Sequence, residues 1–379
     1  MPEKAGITRR LAVIGHPLAA EENRLAFREW DGMGVDLILP ATWKARSLGH
    51  VYRHRSHNAP GETRAGVPTL HALPVLASGR NSLFLWLGLE ALVRKLKPDA
   101  IYCWEEPWCL SAWQVGRVAR ALGVPLVFYT AENRPKRVPW PLSAAMRAVF
   151  RQAAACVAPT PEIAATIRAA GFAGSILPVP LWIRPRRQVR ADPEGRVLAY
   201  VGRLIPLKRV HLLVECLGLL PGYRLRIIGD GPERVRLGAL AEGLGLAERV
   251  DFRGHVDNRE IESQLDGACL LVLPTGENPR QAEQFGKAAL EGVSCGLPVM
   301  ASRTGNLALL ARSVPTLAAA DLDSAEQVAG AITARMEGYP TPAAREEARR
   351  QVQDRYGPAA AARRLEAAFT SLIAGGEKP

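Results

Sequence analysis

Residues 196–232 read RVLAYVGRLIPLKRVHLLVECLGLLPGYRLRIIGDGP, and this stretch decides the fold. Two short apolar runs, 196–204 and 223–232, each end in a glycine-containing turn, which is typical of strands. Between them, residues 208–220 carry apolar side chains at helical spacing. A strand, a helix and a second strand in this order indicate a βαβ unit, which builds a parallel sheet.

The same alternation of strands and helices continues on both sides of this unit. It predicts an α/β protein with parallel sheets. Further strands are predicted at 10–17, 35–40, 97–107, 124–130, 154–160, 249–256 and 268–274. Further helices are predicted over 111–123, 161–171, 233–246 and near 258–267.

One segment interrupts the alternation. Residues 178–195, PVPLWIRPRRQVRADPEG, are rich in proline and arginine and show no sustained period, so a linker is predicted there. Two successive doubly wound units joined by this linker are the simplest architecture. Ligands of such sheets bind beyond the carboxyl ends of the strands, so the cleft between the two units is the predicted site.

Length and composition narrow the class of protein. With 379 residues and 48% hydrophobic residues, two globular domains are expected. We find no apolar stretch long enough to span a membrane and no signal-peptide pattern at the start, so a cytoplasmic location is predicted. The six cysteines include no CxxC pair, so buried free thiols are expected instead of a zinc site or a disulfide framework.

The net charge of +12 is unevenly distributed. Residues 1–185 hold 23 Lys and Arg against 13 Asp and Glu, whereas the remainder holds 26 against 24. A basic first half suggests an anionic partner, such as an anionic membrane surface, a phosphorylated acceptor or nucleic acid. A general arginine bias of the genome is the alternative explanation.

Three strand-end turns carry candidate binding residues. Arg203 ends a strand and Lys208 follows at the start of a helix, which suits a phosphate because arginine grips it with two hydrogen bonds and lysine acts as a point charge. A solvated basic turn is the alternative. The turns IIGDGPER (227–234) and FRGHV (252–256) repeat the strand-end pattern, although each is a weak signal alone.

Two glutamates mark a fourth candidate segment, ENPRQAEQFGKAALEG (277–292). A helix is predicted to begin near residues 284–286, and the N-terminus of a helix favours anions. Glu283 lies before that end and Glu291 about two turns inside it. Eight residues correspond to about 80° around a helix, so the two carboxylates are not predicted to form a same-face acid/base pair. Ordinary helix-surface residues remain the alternative.

These motifs together, in this order and followed by CGLPVMAS (295–302), resemble the family 4 glycosyltransferases. The resemblance is strong over residues 196–312. It implies a retaining, nucleotide-sugar-dependent enzyme of the GT-B fold, with two Rossmann-like doubly wound parallel-sheet domains that face a central cleft. The implied domains are an acceptor-binding domain, a donor-binding domain and a C-terminal helix that crosses back to the first domain, at residues 1–185, 186–355 and 356–379.

The resemblance also implies roles for individual residues in the donor site. Arg203 and Lys208 correspond to residues that bind the donor pyrophosphate, and Glu283 to the residue that contacts the transferred sugar. Glu291 corresponds to the residue that holds the ribose, and the FRGHV turn to the segment that reads the base. The predicted donor-binding residues are Gly202, Arg203, Lys208, Gly229, Gly231, His255, Val256, Glu283, Gln284, Phe285, Gly286 and Glu291.

The first half departs from the family pattern. A glycine-rich loop often follows the first strand in the family, but GHPLAAEENR (15–24) stands here, and AEN (131–133) stands where a histidine is common. Glu132 or Asn133 is therefore expected to take over the sugar contact of that histidine, and Glu132 is predicted to be catalytic with Arg203, Lys208 and Glu283. In CWEEPW (103–108), a glutamate is expected to orient an acceptor hydroxyl and Trp104 or Trp108 to stack on the acceptor, with a packed aromatic turn as the alternative. The predicted acceptor-binding residues are His16, Asn23, Glu105, Glu106, Trp108 and Asn133.

The sequence thus predicts a retaining hexosyltransferase that uses a UDP- or GDP-sugar without a metal or other cofactor, since Arg203 and Lys208 stabilise the leaving diphosphate. The expected acceptor is a lipid-linked molecule or a polysaccharide of the cell envelope. The basic first domain suggests peripheral docking at the inner face of the membrane, with 53–64 as a candidate loop. A GT-B epimerase or phosphorylase is one alternative. A non-catalytic nucleic-acid-binding module is another, but the sequence shows no motif for it, and no nucleic-acid partner is expected.

Overall fold

The computed structural model describes residues 9–45, 50–56, 67–279 and 281–375. The chain forms two compact units, one made of residues 1–182 and 358–379 and the other of residues 183–357. Each unit is built around its own parallel sheet. The sheets follow directly from the alternating strands and helices of the sequence.

A seven-stranded parallel sheet forms the centre of the first unit. Its spatial order is β11-β10-β9-β8-β1-β2-β5, which has the strand order of a doubly wound sheet with the reversal between β1 and β8. Two short antiparallel hairpins, β3-β4 and β6-β7, lie outside it. The strands are β1 Arg10–Ile14, β2 Gly34–Pro40, β3 Thr42–Ala45, β4 His50–Arg53, β5 Thr69–Leu73, β6 Val75–Leu76, β7 Leu85–Trp86, β8 Ala100–Cys103, β9 Leu126–Tyr129, β10 Ala153–Val157 and β11 Ser175–Leu177.

Both faces of this sheet are covered, so its strands are apolar throughout rather than alternating. Ile101 and Phe128 face one hydrophobic cluster, while their neighbours Tyr102 and Val127 face the other. Four α-helices and two 3₁₀-helices provide the covering layers. They are α1 Leu89–Leu96, α2 Leu110–Leu122, α3 Leu142–Gln152 and α4 Pro161–Ala169, with the 3₁₀-helices His16–Ala19 and Glu21–Glu29.

The second unit contains a six-stranded parallel sheet of order β14-β13-β12-β15-β16-β17, with the reversal between β12 and β15. Its strands are β12 Val197–Val201, β13 Arg224–Ile228, β14 Val250–Gly254, β15 Leu270–Leu273, β16 Val299–Ser302 and β17 Leu317–Ala320. Its α-helices are α5 His211–Cys216, α6 Arg234–Gly243, α7 Ile261–Leu265, α8 Lys287–Ser294, α9 Gly305–Ser313, α10 Ala325–Glu337 and α11 Pro342–Tyr356. Short 3₁₀-helices are Pro206–Lys208, Leu217–Leu219, Ala247–Arg249 and Asn258–Glu260.

The last helix, α12 Pro358–Gly375, belongs to the first unit. Leu365, Phe369 and Ile373 are buried on it in the cluster that also contains Phe27 and Trp30. The chain therefore returns to the first unit at its end, and α12 is separated from α11 at Gly357.

The predicted strands are all present, and the predicted helices are present with one difference. The expected helix over 208–220 is divided into two 3₁₀-helices and the short α5. Arg209 adopts a positive φ of 47°, which an uninterrupted right-handed helix cannot contain. No described helix is long and apolar enough to cross a membrane. The six cysteines are all free and buried, and burial raises the pKa of their thiols, as expected for structural residues.

Candidate active site

Two glycine turns bring the ends of β12 and β13 together. The N–H of Gly202 donates to the carbonyl of Ile228 at 3.0 Å, and the N–H of Gly229 donates to the carbonyl of Gly254 at 2.8 Å. Gly229 has a φ of +142°, and a Cβ at this position would collide with the carbonyl oxygen of Gly202. Only glycine at 229 allows the two turns to approach this closely.

Lys208 and Glu283 form an ion pair next to these turns. The Lys208 Nζ lies 2.6 Å from Glu283 Oε2 and 3.5 Å from the Thr275 hydroxyl. The other carboxylate oxygen, Oε1, accepts the backbone N–H of Gly286 at 3.1 Å. The two side chains keep 21% and 18% of their surface exposed, so a ligand can reach the pair from solvent. The structure thus brings together residues that are 75 positions apart in the sequence.

The loop that carries Glu283 is held by hydrogen bonds from the start of α9. The N–H of Asn306 donates to the carbonyl of Glu283 at 3.1 Å, and its side-chain amide donates to the carbonyl of Phe285 at 2.6 Å. Gly305, with a φ of +46°, packs against the Glu283 backbone so closely that a Cβ would collide with it. These two residues were not among the sequence-predicted site residues, because nothing in their local pattern connects them to Glu283.

Glu291 lies on α8 with different partners. Its Oε1 lies 3.2 Å from a guanidinium nitrogen of Arg186 and 3.4 Å from the side-chain amide of Asn258. Glu283 precedes α8 and Glu291 lies within it, so the two carboxylates have separate surroundings. The sequence-based conclusion that they are not an acid/base pair is consistent with this geometry. Arg186 was missed, because it lies in the segment assigned as a linker.

The other predicted donor-binding residues differ in how exposed their side chains are. Arg203, Gln284 and His255 are exposed, and Val256 is partly buried. The Arg203 guanidinium has no hydrogen-bonding or ionic partner in the described part of the chain, so it is available to an anion. The Phe285 side chain is buried against Tyr356, with ring centroids 6.0 Å apart.

On the first unit, His16 and Glu105 form a second pair at the strand reversal. His16 follows β1 and Glu105 follows β8, and these strands are neighbours. The buried Glu105 carboxylate accepts the backbone N–H of His16 at 2.6 Å, and its other oxygen lies 2.7 Å from Nδ1 of the ring. An ionised carboxylate only accepts, so Nδ1 carries a proton, and in the tautomer protonated there alone Nε2 is an acceptor.

Glu106 also follows β8, but its carboxylate binds the loop at residues 130–131. Its carboxylate accepts the Thr130 hydroxyl at 2.7 Å and the Ala131 N–H at 2.8 Å. Desolvation raises the pKa of Glu106 to about 7, against the opposing effect of these two hydrogen bonds. Both oxygens already have protein partners, so Glu106 supports the 130–131 loop.

The remaining predicted acceptor residues have varied surroundings. Glu132 and Trp108 line one cavity of about 200 Å³, and the Lys136 Nζ lies 3.2 Å from Glu132 and 4.5 Å from the centre of the Trp108 ring. The amide of Asn133 donates to Glu162 at 3.1 Å. That of Asn23 donates to the carbonyl of residue 17 at 2.8 Å, which stabilises its own loop.

The suggestion that Trp104 stacks on an acceptor is wrong. Only 3% of its surface is exposed, and its ring packs against Trp182 and Tyr129 at centroid distances of 5.1 and 5.8 Å. The alternative, a packed aromatic turn, describes this residue. The Trp104 ring, at the end of β8, is buried because α12 and Trp182 pack on that face of the sheet.

Two family models match consecutive parts of the chain. Residues 20–182 match the glycosyl transferase 4-like domain, and residues 184–352 match the glycosyl transferases group 1. The chain belongs to the family 4 glycosyltransferases. The resemblance seen in its motifs is thereby confirmed for both halves.

Similar proteins and structures agree with this membership. The D-inositol 3-phosphate glycosyltransferase of Mycobacterium marinum is 33% identical over 126 residues, and that of Acidothermus cellulolyticus is 34% identical over 163 residues. These matches span 32% and 39% of this family 4 chain but only 26% and 35% of the relatives' length.

Solved glycosyltransferase structures share the whole fold. Sucrose-phosphate synthase from Thermosynechococcus elongatus gives a TM-score of 0.70 at 17% identity, covering 97% of this chain and 100% of that one. HepE from Anabaena, in complex with UDP, gives 0.70 at 15% identity, covering 96% and 100%. The predicted GT-B fold with two Rossmann-like parallel-sheet domains is confirmed.

Proposed function

We propose that this protein is a retaining glycosyltransferase that moves a hexosyl group from a nucleoside diphosphate sugar to a hydroxyl of a lipid-linked molecule or polysaccharide. The observation that carries the proposal is the Lys208–Glu283 pair, at 2.6 Å, with the exposed Arg203 five residues before Lys208 in the chain. Lys208 and Arg203 supply cations for a diphosphate, and Glu283 supplies a carboxylate for a sugar, all in the second unit. The structure of HepE with UDP supports a uridine donor as the first to test.

The donor chemistry follows from the charges in the second unit. When the anomeric C–O bond breaks, negative charge develops on the leaving diphosphate, and Lys208 and Arg203 stabilise it. Glu283 contacts the transferred sugar, and its carboxylate is held in place by the Gly286 N–H. The acceptor oxygen forms its bond on the face that the diphosphate leaves, which retains the anomeric configuration, and the hydroxyl proton passes to the leaving diphosphate. No metal is assigned a role, because the two side-chain cations perform the charge stabilisation.

The acceptor chemistry is assigned to the first unit. Glu105 holds the His16 ring so that Nε2 accepts a hydrogen bond from the acceptor hydroxyl and aligns its oxygen for attack. Glu132 and Trp108, on the adjoining cavity, are proposed to contact the rest of the acceptor.

A thermal-shift screen of nucleotide sugars tests the donor assignment. A true donor binds only the folded protein, so at about a hundredfold excess over Kd it should raise the melting temperature by roughly 5 °C. The shift should persist in EDTA and disappear when Arg203→Ala and Lys208→Ala are combined. An unchanged shift in that double variant would place the diphosphate elsewhere, and a shift abolished by EDTA would contradict metal independence.

The proposed membrane docking is assigned to residues 134–151. Most of the loop suggested by sequence, 53–64, lies outside the described residues. Between Asn133 and Pro161 the chain has no Asp or Glu but five basic residues. Trp140 is 78% exposed in the middle of this segment, directly before α3. An exposed tryptophan among cations suits the interface of an anionic bilayer.

Vesicle sedimentation tests this docking surface. We expect Trp140→Ala to lower partitioning to phosphatidylglycerol vesicles about tenfold, because about 1.5 kcal/mol of ring burial is lost. Reversing charge at the exposed Arg147 and Arg151 should lower it further, since each basic residue contributes about 1 kcal/mol at such a surface. Val235→Ala, an exposed apolar position on the second unit, is the control. Equal sedimentation of all variants would contradict the assignment.

A further inference from the structure

Arg186 is buried in the second unit although it belongs to an irregular segment of the sequence. None of its side-chain surface is exposed. One guanidinium nitrogen donates to the Asn258 carbonyl, and the other lies 2.9 Å from the Asn258 side-chain oxygen and 3.2 Å from Glu291 Oε1. Its backbone carbonyl accepts the Gln353 amide at 3.0 Å. A buried guanidinium is costly unless it is paired, so these contacts account for its presence.

The pairing uses only one oxygen of the Glu291 carboxylate. Arg186 and Asn258 both donate a hydrogen bond to Oε1, whereas Oε2 has no partner in the described part of the chain. A two-oxygen pairing, the usual strong geometry of arginine with a carboxylate, would have occupied both. Glu291 is itself only 8% exposed, and Oε2 is left as an acceptor for a hydroxyl of the ligand.

We infer that Arg186 is a positioning residue that makes the donor site specific for ribonucleotides. The inference rests on the proposed function and on the family resemblance, which assigns the donor ribose to Glu291. Arg186 holds the carboxylate in one orientation, and Oε2 accepts a hydrogen bond from a ribose hydroxyl. A deoxyribose lacks that donor and leaves a nearly buried charged oxygen unpaired, which is the strongest form of discrimination available to such a site.

Calorimetric titration of the full chain with UDP, 2′-deoxy-UDP and 3′-deoxy-UDP tests the inference, with the guanosine series used in parallel. A hydrogen bond to a charged group predicts that one deoxy form binds the wild-type protein about ten- to hundredfold more weakly than the ribonucleotide. In Arg186→Met this ratio should fall to about threefold or less. The loss should come from weaker binding of the ribonucleotide, with the affinity for the deoxy form nearly unchanged.

Matched variants separate positioning from damage to the fold. Arg186→Lys keeps one charged donor and should restore part of the ratio. Glu291→Gln should abolish the ratio, and adding Arg186→Met to it should change nothing further, since both act on one interaction. Arg187→Met is the control, because Arg187 is adjacent but 94% exposed.

The outcomes distinguish the inference from the function on which it rests. If neither UDP nor GDP binds the wild-type protein, the proposed function fails. If the wild-type protein binds ribo- and deoxyribonucleotides equally, the assignment of Glu291 to ribose fails. If Arg186→Met keeps the wild-type ratio, or weakens all the nucleotides equally, Arg186 has no positioning role and the inference is overturned.

Discussion

Replacing Lys208 by alanine is expected to lower kcat/KM for the nucleotide-sugar donor about 100- to 1000-fold, the usual effect of removing one group that stabilises a developing anion. Two losses combine in this variant. The leaving diphosphate loses a cation, and Glu283, which is 2.6 Å from Nζ in the wild-type protein, loses its partner. Steady-state kinetics with the donor found by the thermal screen measures the effect.

Three companion variants make this prediction specific. Lys208→Arg keeps the charge and should recover part of the activity. Glu283→Gln combined with Lys208→Ala should cost less than the sum of the single changes, because the two residues share one interaction. Lys95→Ala, an exposed lysine of α1, should leave kcat/KM unchanged. Activity of Lys208→Ala within tenfold of wild type would be incompatible with the proposed phosphate role.

The fold was predictable because each strand can be recognised from its own short stretch of sequence. Each strand of both sheets is a short apolar run, and each run ends near a glycine, proline or polar turn, so chain order alone gives a doubly wound pattern. The division of the helix at 208–220 was not predictable in this way. It depends on Arg209, whose guanidinium donates to the Pro274 carbonyl at 2.9 Å, a contact made across the sheet.

The candidate site was predictable where its residues recur at fixed spacing. Arg203, Lys208, Glu283 and Glu291 were identified by their order and positions next to strand ends. Arg186 was not, since its neighbours show no period and its partner Glu291 lies 105 positions away. Trp104 was misassigned for a related reason, because a sequence does not show which face of a strand end is covered by a distant helix.

His16 and Glu105 show a further limit of sequence reasoning. Each was predicted separately as an acceptor-binding residue, and only the adjacency of β1 and β8 makes them a pair. Because of this pairing, substitutions of the two residues are expected to act on the acceptor in different ways. In the proposed function His16 contacts the acceptor, whereas Glu105, whose side chain is fully buried, acts on the acceptor through His16.

Replacing Glu105 by glutamine is therefore expected to lower kcat at least about 100-fold while donor binding stays unchanged. The glutamine amide can donate to Nδ1, which moves the ring proton to Nε2 and removes the acceptor that the hydroxyl needs. The donor residues lie in the second unit, so the affinity for UDP or GDP should not change. His16→Ala should give a similar loss, and the double variant should be no worse than either single one.

A purely structural role of Glu105 predicts a different result, in which turnover and donor affinity fall together. Glu90→Gln, which breaks an exposed pair with Arg94 on α1, should keep the rate of the wild type. An equal loss of donor affinity and turnover in Glu105→Gln would assign Glu105 to folding and remove His16 from the acceptor site.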